Sequence, residues 1–174
     1  NTPDFPKPDR TMETKIKQEQ RKLSRKEKGS KNYEKQRIKL AKQHAKAKHL
    51  RNDVLHKLSC ALTDRYDLIA IEDLDMSAIK RSLRFGKSAS DNGWGMFTDM
   101  LSYKAKREGT QLVQVECWFP ASWTCSHCGH IHKELKLSDR IYLCPKCGHT
   151  MDRDRQAAQN IVKEAKRMLL NAAF

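Results

Sequence analysis

From about Met12 to Leu62 the chain sets scattered apolar residues among Lys, Arg, Gln and Glu, a mixture that favours helix, with one interruption at Gly29-Ser30. The pattern predicts a pair of helices joined at that break. In the second, Tyr33, Arg37, Leu40, Ala41, His44, Ala47, Leu50, Val54, Leu58 and Leu62 recur three and four apart, which predicts one buried stripe. The period then changes. Tyr66-Asp67-Leu68-Ile69-Ala70-Ile71-Glu72-Asp73-Leu74 is a short apolar run that ends in acids, as a fully buried central strand would, and it sets Glu72 at the strand's carboxyl end. A helix is predicted from about Gly93 to Arg107, with Trp94, Phe97, Leu101 and Tyr103 on its apolar face and Gly109 as its stop. A second strand follows from Gln111 to Glu116, and strand, helix, strand predicts a right-handed parallel unit. The last helix runs from near Asp152 to about Leu170. Its sheet-facing positions are predicted to be Ala157, Ala158, Ile161, Val162, Ala165, Met168 and Leu169.

Between the second strand and that helix lies Cys125-x-x-Cys128, then fifteen residues, then Cys144-x-x-Cys147. Two tight pairs of thiolates can close a tetrahedral Zn²⁺ shell. Each pair runs into a glycine, Gly129 and Gly148, expected to let the backbone turn where a Cβ would obstruct it. Two disulfides would need an oxidising compartment, and the sequence shows no signal peptide. Four cysteines complete the shell, so His127, His130, His132 and His149 are not needed as ligands. A shell without an open position leaves the ion a structural task, to fold a ribbon. The remaining cysteines, Cys60 and Cys117, are expected to be buried, and so are Trp94, Phe97 and Trp118.

Charge selects the partner class. A chain of 174 residues suits one domain carrying a small insert, and its net charge of +14 favours polyanions, nucleic acid first and an anionic membrane second. No apolar run approaches the roughly 20 residues that cross a bilayer, which predicts a cytoplasmic, nucleoid-associated protein. Between Lys15 and Arg51 only Glu19, Glu27 and Glu34 are acidic, so the helices are expected to present a phosphate-tracking surface. Ser77 to Asn92, with Lys80, Arg81, Arg84 and Lys87, reads as a basic connection. The opening Asn1-Thr-Pro-Asp-Phe-Pro-Lys-Pro reads as a proline-stiffened connector with further sequence expected upstream.

Two carboxylate sites stand at element ends: Glu72, and Asp152-Arg153-Asp154 at the start of the last helix. The small pair Ala157-Ala158 is expected to let that helix approach the sheet and bring a first-turn carboxylate towards the strand ends. Oxygen clusters of this kind suit Mg²⁺, and two such ions can drive phosphodiester hydrolysis. The alternatives are plain N-capping for the aspartates, and for Glu72 a helix cap or an Arg pair.

A resemblance narrows these choices. Arg21-x-Leu23-Ser24-Arg25-Lys26 with Gly29-Ser30-Lys31-Asn32, Ile71-Glu72-Asp73-Leu74, Thr124-Cys125-Ser126-x-Cys128-Gly129, Cys144-x-x-Cys147-Gly148 and Asp152-Arg153-Asp154-x-x-Ala157-Ala158-x-Asn160-Ile161 occur in that order. Together they resemble the TnpB (OrfB) transposon-associated proteins, relatives of the type V CRISPR effectors. The resemblance implies an α/β, RNase H-like (RuvC) fold, incomplete here, with a basic helical hairpin and an inserted four-Cys zinc ribbon. It divides the chain into a connector (1–10), a RuvC-like part (11–120), the ribbon (121–150) and a final RuvC-like helix (151–174). It implies an insertion-sequence-encoded, RNA-guided and Mg²⁺-dependent DNA endonuclease with guide RNA and target DNA as partners. Glu72 would be the second catalytic carboxylate and Asp154 the third, with Asp152 as the fallback. The nucleic-acid contacts would include Arg21, Lys22, Arg25, Lys26, Lys31 and Arg37, and structural Zn²⁺ would sit on Cys125, Cys128, Cys144 and Cys147. The family's first catalytic Asp lies in a Gly-Ile-Asp-x-Gly type strand that this sequence lacks, and Asp4, in a proline-flanked connector, does not replace it. The chain is therefore expected to be either part of a nuclease or a nuclease-dead RNA-guided DNA-binding protein or repressor.

Overall fold

The computed structural model describes residues 8–75, 93–136 and 138–172. The proposed connector through Lys7 and the whole basic Ser77 to Asn92 stretch lie outside them. The chain divides into two compact units, one holding residues 1–65 and 76–104, the other residues 66–75 and 105–174.

In the first unit, α1 (Pro8–Ser24) and α2 (Lys31–Thr63) form a helical hairpin. Proline suits the first helical position because its missing N–H would find no partner there. The predicted break holds: Ser30 adopts extended φ and ψ of −74° and 151°, and its side chain accepts the Tyr33 N–H at 3.1 Å, the hydrogen bond that starts α2. The predicted stripe needs correction. Arg37, Ala41, His44 and Leu50 are exposed, while Ala47, Leu55, Ser59 and Thr63 are buried and Gln36, Leu40 and Gln43 half-buried. Several inward positions are polar and satisfied locally: Ser59 Oγ donates to the Leu55 carbonyl at 2.7 Å and Thr63 Oγ1 to the Ser59 carbonyl at 3.1 Å. A count of apolar residues alone misses such positions.

The first eleven residues of α3 (Trp94–Glu108) belong to this unit. Gly93, at φ +60°, precedes it, and a Cβ there would stand 3.0 Å from Leu55 Cδ1 and 3.1 Å from Arg51 Cδ. Both the left-handed backbone and the close approach favour glycine. Phe97 and Leu101 are buried as predicted, whereas Tyr103 is half exposed and the next residue, Lys104, is buried instead. Its Nζ donates to the His56 carbonyl and to Ser59 Oγ, both at 2.7 Å, which satisfies the cation inside.

In the second unit, β1 (Leu68–Asp73) and β2 (Gln111–Glu116) pair in parallel, Leu68 opposite Gln111 and Glu72 opposite Val115. Among the described residues β1 has one strand neighbour, so the reading as a central strand is not met. α4 (Arg153–Ala172) covers one face of this pair: Ala165 is buried with Val113 and Val115, and Ile161, Met168, Leu169, Leu68, Ala70 and Phe119 pack around them. Burial of a side chain such as Val115, 1 % exposed, contributes on the order of 1.5–3 kcal/mol. Of the predicted face of α4, Ile161, Ala165, Met168 and Leu169 meet the sheet, and two positions depart from it. Ala158 and Val162 are exposed, and the buried positions of its first half are Gln156 and Asn160. Two further expectations fail: Trp118 is 87 % exposed and Cys117 is exposed, at the point where β2 ends and the chain turns away from the sheet.

The cysteine segment forms β3 (Ile141–Leu143) and β4 (Thr150–Asp152), an antiparallel pair with Tyr142 opposite Met151, plus a bridge between Thr124 and Ile131. Among the described residues its core is Cys125, Tyr142 and Cys144, with Leu135 against them. So small a core does not hold a fold without a further link.

Candidate metal centre and carboxylate site

The two cysteine knuckles repeat one geometry. Cys125 N–H donates to the His130 carbonyl and Cys144 N–H to the His149 carbonyl, each at 2.8 Å, and the glycine N–H of each knuckle returns to its first cysteine at 2.9 and 3.0 Å. Gly129 and Gly148 take φ of +73° and +69°. A Cβ at either would meet nothing within 4 Å, so the left-handed turn selects glycine there and the expected crowding does not. The turns aim the thiols inward. Cys125 Sγ lies 3.7 Å from Cys147 Sγ and Cys128 Sγ 3.6 Å from Cys144 Sγ, and all four ligand atoms fall within 4.8 Å of one another. A metal–sulfur bond of about 2.3 Å places tetrahedral sulfurs about 3.8 Å apart, so the four sulfurs fit a metal of that kind. No pair is a disulfide.

The thiols of Cys144 and Cys147 are driven in opposite directions. Burial opposes the Cys144 thiolate, but N–H groups of Cys147 and Lys146 directed at its sulfur bring it down to about 6. Cys147 receives the His149 N–H, which favours its thiolate, yet desolvation and the sulfurs of Cys128, Cys144 and Cys125 push it up to about 12. Crowded sulfurs share too much negative charge without a cation, and a divalent ion removes that conflict. Tyr142 closes the underside, its ring edge-on to His132 at 6.2 Å and its hydroxyl donating to the Trp123 carbonyl at 3.4 Å. His127 and His149 stack at 5.8 Å beside the knuckles, outside the sulfur cluster.

The carboxylates occupy element ends. Glu72, half-buried, is the penultimate residue of β1. Asp152 ends β4, and its Oδ1 accepts the N–H groups of Asp154 and Arg155, both at 3.0 Å, so it caps α4. Asp154 stands in the first turn of α4 with its side chain 78 % exposed and Arg153 Nε 4.0 Å away. Its negative charge there also opposes the positive end of the helix dipole. Among the described residues, the four cysteines form the one group of three or more His, Cys, Asp or Glu side chains whose ligand atoms converge. Glu72 and Asp154 thus belong to no such converging group among the described residues.

Sequence reasoning missed what fixes the start of α4. Gln156 Nε2 donates to the Thr124 carbonyl at 2.7 Å and its Oε1 accepts Ser126 Oγ at 2.8 Å. Asn160 Nδ2 donates to the carbonyls of Ala121 and Thr124 at 2.8 and 2.6 Å, and Lys163 Nζ to that of Ser126. The signal was an amide pair at i and i+4 on an otherwise apolar face. These bonds fasten the first half of α4 to the segment that leaves the carboxyl end of β2, whose neighbour β1 ends at Glu72 and Asp73.

The basic candidates gather at the hairpin bend. Arg21 and Lys22 lie in the last turn of α1, Arg25 and Lys26 in the connection, and Lys31 opens α2; all are exposed. Lys22 pairs with Glu19 at 2.8 Å, and Arg37, further along α2, pairs with Glu34 at 2.8 Å. Glu19 is buried and ties the hairpin together, accepting Gln36 Nε2 at 2.7 Å with Lys39 Nζ at 3.3 Å. Lys22, then Gln36, hold its carboxyl down at about 2. No helix among the described residues is long and apolar enough to cross a membrane.

Comparison with known proteins divides the chain between residues 83 and 94. A family described as "Probable transposase", the OrfB type of IS605, matches residues 4–83, and a Cas12f1-like TNB domain family matches residues 94–161. A candidate RNA-guided DNA endonuclease of Streptomyces pristinaespiralis is 38% identical over 157 residues, covering 90% of this chain and 39% of that protein. A second protein so named, InsQ of Escherichia coli K12, is 32% identical over 161 residues, 82% of this chain and 39% of its own length. The chain therefore spans about 39% of the length of these relatives. A chain in the cryo-EM structure of a Cas12f1-sgRNA-target DNA complex superposes with a TM-score of 0.62 at 20% identity, covering 87% of this chain and 40% of that one. At that identity the likeness shows the mixed α/β fold.

Proposed function

We propose that this chain, which belongs to the TnpB/OrfB family of transposon-associated proteins, carries part of the machinery of an RNA-guided, Mg²⁺-dependent DNA endonuclease linked to transposition and recombination at the nucleoid. Residues 11–120 and 151–174 are the RuvC-like part, and residues 121–150 are a ribbon closed by zinc on Cys125, Cys128, Cys144 and Cys147. The observation that carries the nuclease reading is the start of α4: Asp152 is occupied as the cap, which leaves Asp154 exposed in the first turn of a helix fastened to the segment that follows β2, the strand paired with the one that carries Glu72.

Glu72 and Asp154 act as carboxylate ligands in this reading, and Mg²⁺ when bound supplies charge stabilisation at the scissile phosphate and an activated water. The hairpin, through Arg21, Lys22, Arg25, Lys26 and Lys31 at its bend and Arg37 further along α2, binds the phosphates of guide RNA or target DNA. Binding should then weaken steeply as salt rises from about 50 to 200 mM.

The test is target-DNA cleavage in Mg²⁺ by guide-loaded protein expressed from the whole reading frame, with and without Glu72→Gln. A loss of roughly 10³-fold or more, with RNA and DNA binding retained, is the expected result. Normal cutting by the variant would overturn the assignment. DNA bound but uncut by the unaltered protein is the result expected of a nuclease-dead binder.

A further inference from the structure

We propose that Gln156 and Asn160 are positioning residues through which occupancy of the four-cysteine site sets the first turns of α4, and with them the place of Asp154. The second half of the statement rests on the reading of Asp154 above; the first half stands on the hydrogen bonds alone.

Both amides are buried, Gln156 at 0% and Asn160 at 3% exposure. Buried amides need partners, and these take theirs from backbone carbonyls before the first metal ligand and from the Ser126 hydroxyl after it. Ala121 and Thr124 precede Cys125 and accept three of the bonds, and Ser126, just after it, donates to Gln156. Cys125 is thus held between two attachments to one helix. The second knuckle reaches the same turn by another route. From Cys147 the chain runs through β4 directly into Arg153, whose N–H donates to the Arg140 carbonyl at 2.9 Å, just before β3. Both knuckles meet at the first turn of α4.

The metal is therefore the common support of that turn. With the knuckles released, Gln156 and Asn160 lose their fixed acceptors together, whereas Ile161, Ala165, Met168 and Leu169 keep their apolar contacts with Val113 and Val115. The helix should loosen over its first two turns and persist beyond them. Coupling of this kind is reciprocal, so a change at Asn160 must also weaken the metal. Partners that orient metal ligands typically govern 10–100-fold of affinity, and about tenfold is expected here.

The experiment uses the full chain with zinc alone as the probe. Zinc affinity is measured by competition with a chromophoric chelator, and amide exchange is followed across residues 121–172 with and without zinc. Chelation should speed exchange in 153–160 along with the ribbon while 161–172 change less, and Asn160→Asp, which keeps shape and loses the donor, should bind zinc about tenfold more weakly. Should Asn160→Asp fail to fold, Ser126→Ala, which removes one bond to Gln156, should weaken zinc by a smaller factor. Asp154→Asn should leave zinc affinity unchanged. Equal protection of 153–160 with and without zinc, or unaltered affinity in the Asn160 and Ser126 variants, overturns the coupling. Neither outcome depends on whether Asp154 serves the nuclease, which DNA cleavage alone decides.

Discussion

The helical hairpin and the cysteine ribbon solve the same problem by opposite means. α2 is 33 residues long and rich in helix formers, so most of its order is local, and a buried carboxylate of α1, Glu19, ties the two helices with Lys22, Gln36 and Lys39 around it. Among the described residues the ribbon has two strands of three residues and a three-residue core, and its order converges on four sulfurs. One region distributes its stability along the chain and the other concentrates it at a point. The first should lose structure in small steps, the second all at once.

The largest effect should come from the sulfurs. Cys144→Ala leaves three ligands, and structural zinc in such small motifs accounts for an apparent 10–16 kcal/mol, so residues 121–152 should unfold while the helical signal of the hairpin stays. Limited proteolysis reads this directly, with new cuts confined to the ribbon and the first turns of α4. Equal resistance of variant and parent would show that the ribbon holds itself without metal.

Glu19 offers a smaller and graded test. Its carboxyl lies lowered from 4.5 to about 2, so its contribution is fully present above about pH 4.5 and is lost as pH falls towards 2. Circular dichroism or thermal melts of the hairpin should show loosening across that window. Glu19→Gln should remove this part of the pH dependence, and an unchanged acid profile would mean that another group ties the helices. Smaller still, Ser30→Ala removes the acceptor of the Tyr33 N–H and should cost about 1 kcal/mol, seen as increased fraying of residues 31–35 by amide exchange. A loss several times larger would show that the bend, rather than the helix length, sets the stability of the hairpin.

The same contrast explains what the sequence made legible. The Gly29-Ser30 break, both strands, α3 and the cysteine site could be read because they depend on neighbours in sequence or on fixed ligand spacing. The faces of α2 and α4 could not, because Gln36, Ser59, Gln156 and Asn160 are inward-facing polar residues whose partners lie elsewhere in the fold or in the preceding turn. Periodicity counts apolar residues and passes over satisfied polar ones. Trp118 and Cys117 were misplaced for a related reason: the turn after β2 carries them outward, and their residue types alone suggested a core. At the carboxylates the sequence left Asp152 and Asp154 as alternatives, and two hydrogen bonds from the backbone of α4 set Asp152 apart as the helix cap.

That separation is the most direct test of the nuclease reading. Asp154→Asn and Asp152→Asn should be compared in guide-loaded protein from the whole reading frame, with target-DNA cleavage in Mg²⁺ as the readout. Asp154→Asn should abolish cutting, while Asp152→Asn, which keeps a side-chain oxygen able to cap α4, should retain most of it. Full cutting by Asp154→Asn, with loss confined to Asp152→Asn, would contradict the assignment.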